Sequence, residues 1–367
     1  MKIAYLANVR FPSERAHTTQ IAYMCQAFSS VGTEVVLFVN KRADDDLFKI
    51  ANYYGLEPSF QIKRLSHGLY SYKSKIIFYF SELFFATNFL ITSKRKQFDV
   101  IYSRHEWIVW FLSLFVAPPK LVWESHEAKL NFPARRLLKK RIKIVVISEG
   151  ILEDYTQFGI STEQMLIAHD GIDESFFGPL NTKDAARARL NLPLEEKLAM
   201  YIGGFDGWKG IETFFAAADL VGDVRFVAIG GNVEQVTTFS KKYPKVLFLG
   251  QLPYADLKNN QQAADVLIIP NSGKTELSSR HTSPLKLFAH MASGVPIVAS
   301  DLPSLATVTG CELVTFVPAD NPEALAKGIA DVFAHYDVKK ALAQELKAVS
   351  LRYTWNERAK SIINFIK

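Results

Sequence analysis

Cysteine is nearly absent from this chain, with two residues, Cys25 and Cys311, in 367. A pair so far apart gives neither a disulfide framework nor a zinc-ligand spacing, so a reducing compartment is expected and no thiolate metal site. A charged start followed by a cleavable apolar run is also missing. Residues 1–7, MKIAYLA, read as a first strand, and a secretory leader is not expected. Long uncharged apolar runs are scarce. The best candidate, SKIIFYFSELFFATNFLITSKRK at 74–96, carries Glu82 near its centre and is too short in its apolar part to span a bilayer comfortably. No repeat, low-complexity tract or nucleic-acid-binding motif is found, and nucleic acid is not expected as a partner.

What is present is a globular composition, 49% apolar and 22% charged, over a length that fits two domains. The net charge of +6 sits in one half: residues 1–170 hold 22 Lys and Arg against 16 Asp and Glu, and residues 171–367 hold 21 of each. An anionic surface would therefore meet the N-terminal half.

Short apolar runs alternate with helical patterns in two series. Strands are predicted at 2–7, 34–39, 99–103, 120–124 and 143–147, then at 198–202, 224–229, 245–249, 265–269 and 295–299. Runs such as VLIIP and VPIVAS are continuous in Val, Ile and Leu, which suits parallel strands covered on both faces. The fold class is α/β, with two doubly wound, Rossmann-like domains. The boundary is predicted between HDGID at 169–173 and EEKLAMYIGG at 195–204, and a tail from 353 reads as an amphipathic helix.

Several motifs carry chemistry. YIGGFDGWKG, 201–210, lies between a strand and a helix, and its glycines would let backbone approach a phosphate while Lys209 supplies a cation. A plain strand-to-helix turn is the equal alternative, and the spacing of Gly203, Gly204 and Gly207 does not fit a dinucleotide fingerprint. HTSPLKLFAHMASG, 281–294, reads as a helix start at Ser283 and Pro284 and a stop at Gly294, with free amides suited to an anion. NSGKTE lacks the leading glycine of a P-loop, since residue 268 is Ile268. Asp44, Asp45 and Asp46 read as a solvated loop rather than a metal site. His126, just after the strand in VWESHEAK, could exchange a hydrogen bond or proton with a substrate hydroxyl, or could be a loop histidine bonded to Glu124 or Glu127. ARRLLKKRIK, 134–143, with Arg135, Arg136, Lys139 and Lys140, could lie on an anionic membrane together with 74–96, or could be a solvated helix beside a core helix.

Taken in order, SRHEWIVWFL, LVWESHEAK, IVVISEGILEDYTQFGISTEQMLIAHDGIDESFF, YIGGFDGWKGIETFFAA, FLGQLPYADLKNNQQAADVLIIPNS, SPLKLFAHMASGVPIVASDLPS and YTWNERAKSII resemble the glycosyltransferases of GT-B fold, and among them the large retaining family GT4. The resemblance covers nearly the whole chain. It implies two Rossmann-like domains facing a cleft: an acceptor-binding domain at 1–172, a nucleotide-sugar-binding domain at 173–350, and a C-terminal helix, 351–367, crossing back to the first.

The resemblance also implies roles. Lys209 would contact the donor diphosphate, with Gly203 and Gly204 in the turn before it. Thr282, Ser283, Pro284 and Leu285 would offer backbone contacts, with Lys286 nearby. Leu252 and Pro253 would frame the base. His126 would contact the transferred sugar, and Arg15 and His17 would face the acceptor. The donor would be a UDP- or GDP-sugar, with no cofactor and no metal. The acceptor would be a hydroxyl of a glycan or lipid-linked glycan in surface polysaccharide or glycoconjugate synthesis. The place of work would be the cytoplasm, peripheral on the inner face of the cell membrane. Two departures stand out. Gly204 occupies a position often held by arginine, and Ala289 occupies that of the glutamate that would bind ribose, with His281 at the position of an earlier glutamate. Ala289 keeps open a rival reading, a catalytically impaired protein that partners a membrane or another transferase. An epimerase or phosphorylase on the same fold is a further rival.

Overall fold

The computed structural model describes all residues except 14–15, 42–45, 57–58, 66–73, 94–96 and 311. Arg15, Asp44, Asp45, the basic triplet Lys94, Arg95 and Lys96, and Cys311 therefore lie outside the described residues. The chain divides into two compact units: Met1–His169 with Trp355–Lys367, and Asp170–Thr354.

The first unit holds seven parallel strands: β1 (Lys2–Ala7), β2 (Glu34–Asn40), β3 (Gln61–Leu65), β4 (Val100–Ser103), β5 (Leu121–Ser125), β6 (Lys143–Val146) and β7 (Met165–Ile167). Their order is β3-β2-β1-β4-β5-β6-β7. The second unit holds six more: β8 (Lys197–Ile202), β9 (Val224–Ile229), β10 (Val246–Gly250), β11 (Val266–Ile269), β12 (Ile297–Ser300) and β13 (Thr315–Val317). Their order is β10-β9-β8-β11-β12-β13. Both sheets are doubly wound, and both reverse direction beside their first strand, at β1/β4 and at β8/β11. Ligands of such sheets bind outside the carboxyl ends at that switch point.

The central strands form because their side chains are apolar on both faces: β1, β5, β11 and β12 are buried almost throughout. The strands missing from the sequence reading are β3, β7 and β13. β3, QIKRL, has three exposed residues among five, and β7 and β13 have three residues each, so none carries an apolar run long enough to recognise.

The unit boundary falls at 169/170 and 354/355, rather than at 172/173 and 350/351. The amide of Ile172 donates to the Tyr353 carbonyl at 2.9 Å, and Ile172 bridges to Thr354, which ties both segments into the second unit. The last helix, Trp355–Ile366, packs in the first unit, where Trp355 stacks on Tyr23 with ring centroids 6.0 Å apart.

Helix Lys75–Thr92 turns Ser81, Glu82, Phe85, Ala86 and Phe89 inward. It is the one helix, among the described residues, long and apolar enough to cross a membrane by composition. Glu82 is nonetheless buried 2.9 Å from His105 and 3.0 Å from Asn8, so this face belongs to the core. The basic helix is shorter than predicted, Phe132–Lys139, and is capped by Asn131. It cannot run on to 143, because Arg141 takes a left-handed conformation at φ 55° before β6 begins.

Candidate functional site

In the first unit the carboxyl ends of β1, β4 and β5 lead into Asn8, Arg104 and His126. These line a cavity of about 330 Å³ with His17, Glu82 and Lys129. Two residues predicted at a distance in sequence, His17 and His126, thus share one cavity.

Beneath it sits Glu124, whose side chain has no exposed surface. Its carboxylate accepts from Gln20 Nε2 at 2.6 Å, from His126 Nε2 at 2.5 Å, from Arg358 Nη1 at 3.4 Å and from the Tyr102 hydroxyl. Burial alone would raise this carboxyl. The charges of Arg358 and Arg104 and the His126 hydrogen bond outweigh it and hold Glu124 well below the usual carboxylate range. His126 moves the other way. Burial and the charge of Arg104 lower it to about 4 against the pull of Glu124, so the ring is neutral at physiological pH. An ionised carboxylate can only accept, so His126 Nε2 carries the hydrogen and Nδ1 is the acceptor on a ring that lines the cavity. The contact with Glu124 is the one expected of an ordinary loop histidine, yet the cavity keeps the ring available to a ligand.

Arg104 is steered by Gln20 Oε1 at 2.8 Å and by the His17 carbonyl at 3.3 Å. Arg358 comes from the last helix and also donates to the carbonyls of Ala168 at 3.2 Å and His169 at 2.8 Å. Gln20, Tyr102, Arg104 and Arg358 were not legible as site residues. Only Arg104 and Gln20 carried any signal, as polar residues beside predicted strand and helix ends.

In the second unit the turn after β8 brings Gly203, Gly204 and Lys209 together. Lys209 is not a free cation in this structure: its Nζ lies 2.7 Å from Asp206 Oδ2. A Cβ at Gly204 would begin 2.8 Å from Lys209 Nζ, the end of a flexible side chain that can move aside. Gly210 ends the turn at φ 64°, where a Cβ would collide with the Pro270 carbonyl. Tyr201, unnoticed in the sequence, is fully buried on β8 and donates to the Gly204 carbonyl at 2.7 Å.

The helix start differs from the prediction. The helix is Leu285–Ser293, Pro284 is the cap residue, and no side chain caps it. The Ser283 hydroxyl instead accepts the Asp170 amide at 2.8 Å. Thr282 is half-buried just before, and Gly294 closes the helix at φ 65° as predicted from its type. Leu252 packs on the core of this unit, with Pro253 exposed beside it at the head of the turn Tyr254–Asp256. Ala289 has no exposed surface and sits in the apolar cluster with Leu287, Phe288 and Met291. Among the described residues no group of three His, Cys, Asp or Glu side chains is placed to hold a metal ion.

Residues 196–335 match the family described as Glycosyl transferases group 1. That match covers the greater part of the second unit and less than half of the chain. The matched segment spans the second unit's sheet, the turn after β8 and helix Leu285–Ser293. A protein of Bacillus subtilis described as a teichuronic acid biosynthesis glycosyltransferase, TuaC, is 26% identical over 243 residues, 65% of this chain and 59% of its own length. A D-inositol 3-phosphate glycosyltransferase of Corynebacterium urealyticum is 24% identical over 56% of this chain and 51% of its own. The matched part is thus less than two thirds of either relative. Among solved structures, sucrose-phosphate synthase from Thermosynechococcus elongatus superposes with TM-score 0.78 at 20% identity, over 99% of this chain and 97% of that one. Anabaena HepE in complex with UDP gives 0.76 at 14% identity, over 99% of each chain. These likenesses establish the GT-B fold.

Proposed function

We propose that this group 1 protein moves a sugar from a UDP- or GDP-linked donor to a hydroxyl of a glycan or lipid-linked glycan, with retention at the anomeric carbon and without a metal. The observation that carries the reading is the second unit's turn after β8. Lys209 stands beside the glycine pair there, and the neighbouring helix start at Leu285 has no side-chain cap. An ammonium and uncapped helix amides are what a departing diphosphate needs to stabilise its growing charge. That Anabaena HepE is solved with UDP and with UDP-glucose supports the same ligand class here. The first unit's cavity would take the hydroxyl-rich ligand, with neutral His126 accepting a hydrogen bond and Arg104 and Lys129 donating.

The test is a thermal-shift screen of UDP- and GDP-sugars. A ligand present at a hundred times its Kd stabilises the folded chain by about 2.7 kcal/mol, which is read as a rise in Tm. Absence of any shift would favour the second reading, a catalytically impaired protein that serves as a membrane or transferase partner. The observation favouring that reading is Ala289, which offers no carboxylate to a ribose.

The protein is further proposed to work in the cytoplasm, on the inner face of the cell membrane. Helix Lys75–Thr92 exposes Ile76, Phe80 and Phe84 on the side away from its buried face, and Phe132, Arg135, Arg136 and Lys139 are exposed on the basic helix. Lys140 drops out of the predicted basic set, since its ammonium donates to the Ser113 carbonyl at 2.8 Å and hydroxyl at 3.0 Å.

A further inference from the structure

Among the described residues, Lys286 Nζ is buried with no hydrogen-bond partner, and so are His290 Nε2, one helical turn on, and both side-chain polar atoms of Asn271, just after β11. A buried ammonium without an acceptor is among the most costly groups a fold can hold. What Lys286 does face is the ring of Tyr201, 5.1 Å from its Nζ. The hydroxyl of that ring is bonded to Gly204, and Gly204 abuts Lys209. Two ammonium groups therefore stand on either side of the Tyr201–Gly204 contact. Asp206 is paired with Lys209 at 2.7 Å. Asn271 is carried to the same place, since the next residue, Ser272, donates its amide to the Trp208 carbonyl at 3.0 Å.

We propose that Lys286 is the second cation of the diphosphate site, a side chain held without a counter-ion until a diphosphate arrives. This rests on the reading of the second unit as the donor unit.

The electrostatics agree. Burial, and then repulsion by Lys209, lower Lys286 to about 7, so the free protein carries this side chain partly neutral at physiological pH. The other polar groups around it are Tyr201 on β8, Asp206 beside Lys209, and neutral His290 on its own helix. Asp170 lies near the helix start through its bond to Ser283, and Glu174 is in the turn packed on the helix. Lys340 and Gln344, on helix Tyr336–Ser350, donate to the Gly294 carbonyl at the far end. A diphosphate raises the ammonium's pKa, so binding above pH 7 takes up a proton and affinity falls as pH rises.

UDP-glucose is the probe, because its diphosphate diester has no proton to lose near neutrality. Calorimetry on the full chain, in two buffers of different ionisation enthalpy, should show proton uptake at pH 7.5 and a Kd about tenfold weaker at pH 8.5 than at 7.5. Lys286→Arg should bind with no uptake and no such pH dependence, since guanidinium stays charged. Lys286→Met should abolish the uptake and weaken binding at pH 6.5 by roughly 10- to 150-fold, with unchanged Tm showing that it folds. Binding by the wild type without uptake, and equally by Lys286→Met, would overturn the role of Lys286 and leave the donor reading standing. Failure of UDP-glucose and of GDP-, ADP- and dTDP-glucose to bind at any pH would overturn both.

Discussion

His126 Nε2 lies 2.5 Å from Glu124 Oε1, and that one contact fixes which face of the ring a ligand meets. The carboxylate accepts, Nε2 donates, and Nδ1 is left as an acceptor. In a chain labelled with nitrogen-15 at histidine, long-range proton–nitrogen spectra at pH 7 should show His126 neutral with its hydrogen on Nε2. A cationic ring at that pH would contradict the assignment.

Glu124 and Arg358 have side chains 0% and 2% exposed, 3.3 Å apart at Nη2 and Oε1. Removing one leaves the other charge buried without its partner. Glu124→Ala should cost about 3–5 kcal/mol in urea unfolding, and the double variant Glu124→Ala, Arg358→Met should recover most of that. A double variant no more stable than the single one would show that the pair is not what holds these side chains.

Acid should destabilise the chain in a definable window. Burial lowers His126 to about 4, and burial followed by the charge of Lys286 lowers His290 to about 3. The unfolded chain binds protons at both below its ordinary histidine pKa, near 6.5, while the folded chain does not. The stability these groups contribute is complete above pH 6.5 and is lost as pH falls toward 4 and 3. The variant His126→Gln, His290→Gln should show a visibly shallower fall in Tm between pH 6.5 and 4.5. Identical slopes would assign the acid response to other groups.

Asp206 competes with any diphosphate for Lys209, to which it is paired at 2.7 Å. Asp206→Asn should tighten UDP-glucose several-fold, by removing both that competition and an anion beside the ligand. The gain should shrink in high salt, as an exposed pair requires. Weaker binding would mean that Asp206 positions Lys209 rather than restrains it.

Ala289 stands three residues after Lys286 on one helix, a spacing that places side chains side by side. A glutamate there has a ready counter-ion, despite the apolar packing around the alanine. Ala289→Glu should leave Tm within a few degrees of the wild type and remove the pH dependence of UDP-glucose binding between 7.5 and 8.5. A large fall in Tm would place the carboxylate in the apolar cluster, unpaired.

Much of the architecture could be read before any coordinates, for physical reasons. Short apolar runs such as those of β11 and β12 suit parallel strands covered on both sides, and their alternation with helices leaves few windings. The edge strand β3 escaped because it meets solvent with Gln61, Lys63 and Arg64 and so carries no run of apolar residues. At the site, His126 and Lys209 were legible because each follows an apolar strand at a turn. Tyr201 was hidden in the strand before that turn, as one more buried aromatic.

The sequence by itself determined the two doubly wound sheets and where their loops must carry chemistry, because burial of apolar runs and turn residues act over a few neighbours. Only the tertiary structure decided that Glu124 would hold His126, Gln20, Tyr102 and Arg358, and that Lys286 would lie over Tyr201 with no acceptor. Arg358 is 234 residues from Glu124, and Lys286 is 85 from Tyr201. No local pattern records such pairings. The charge state of each group is set by which distant side chains folding brings against it.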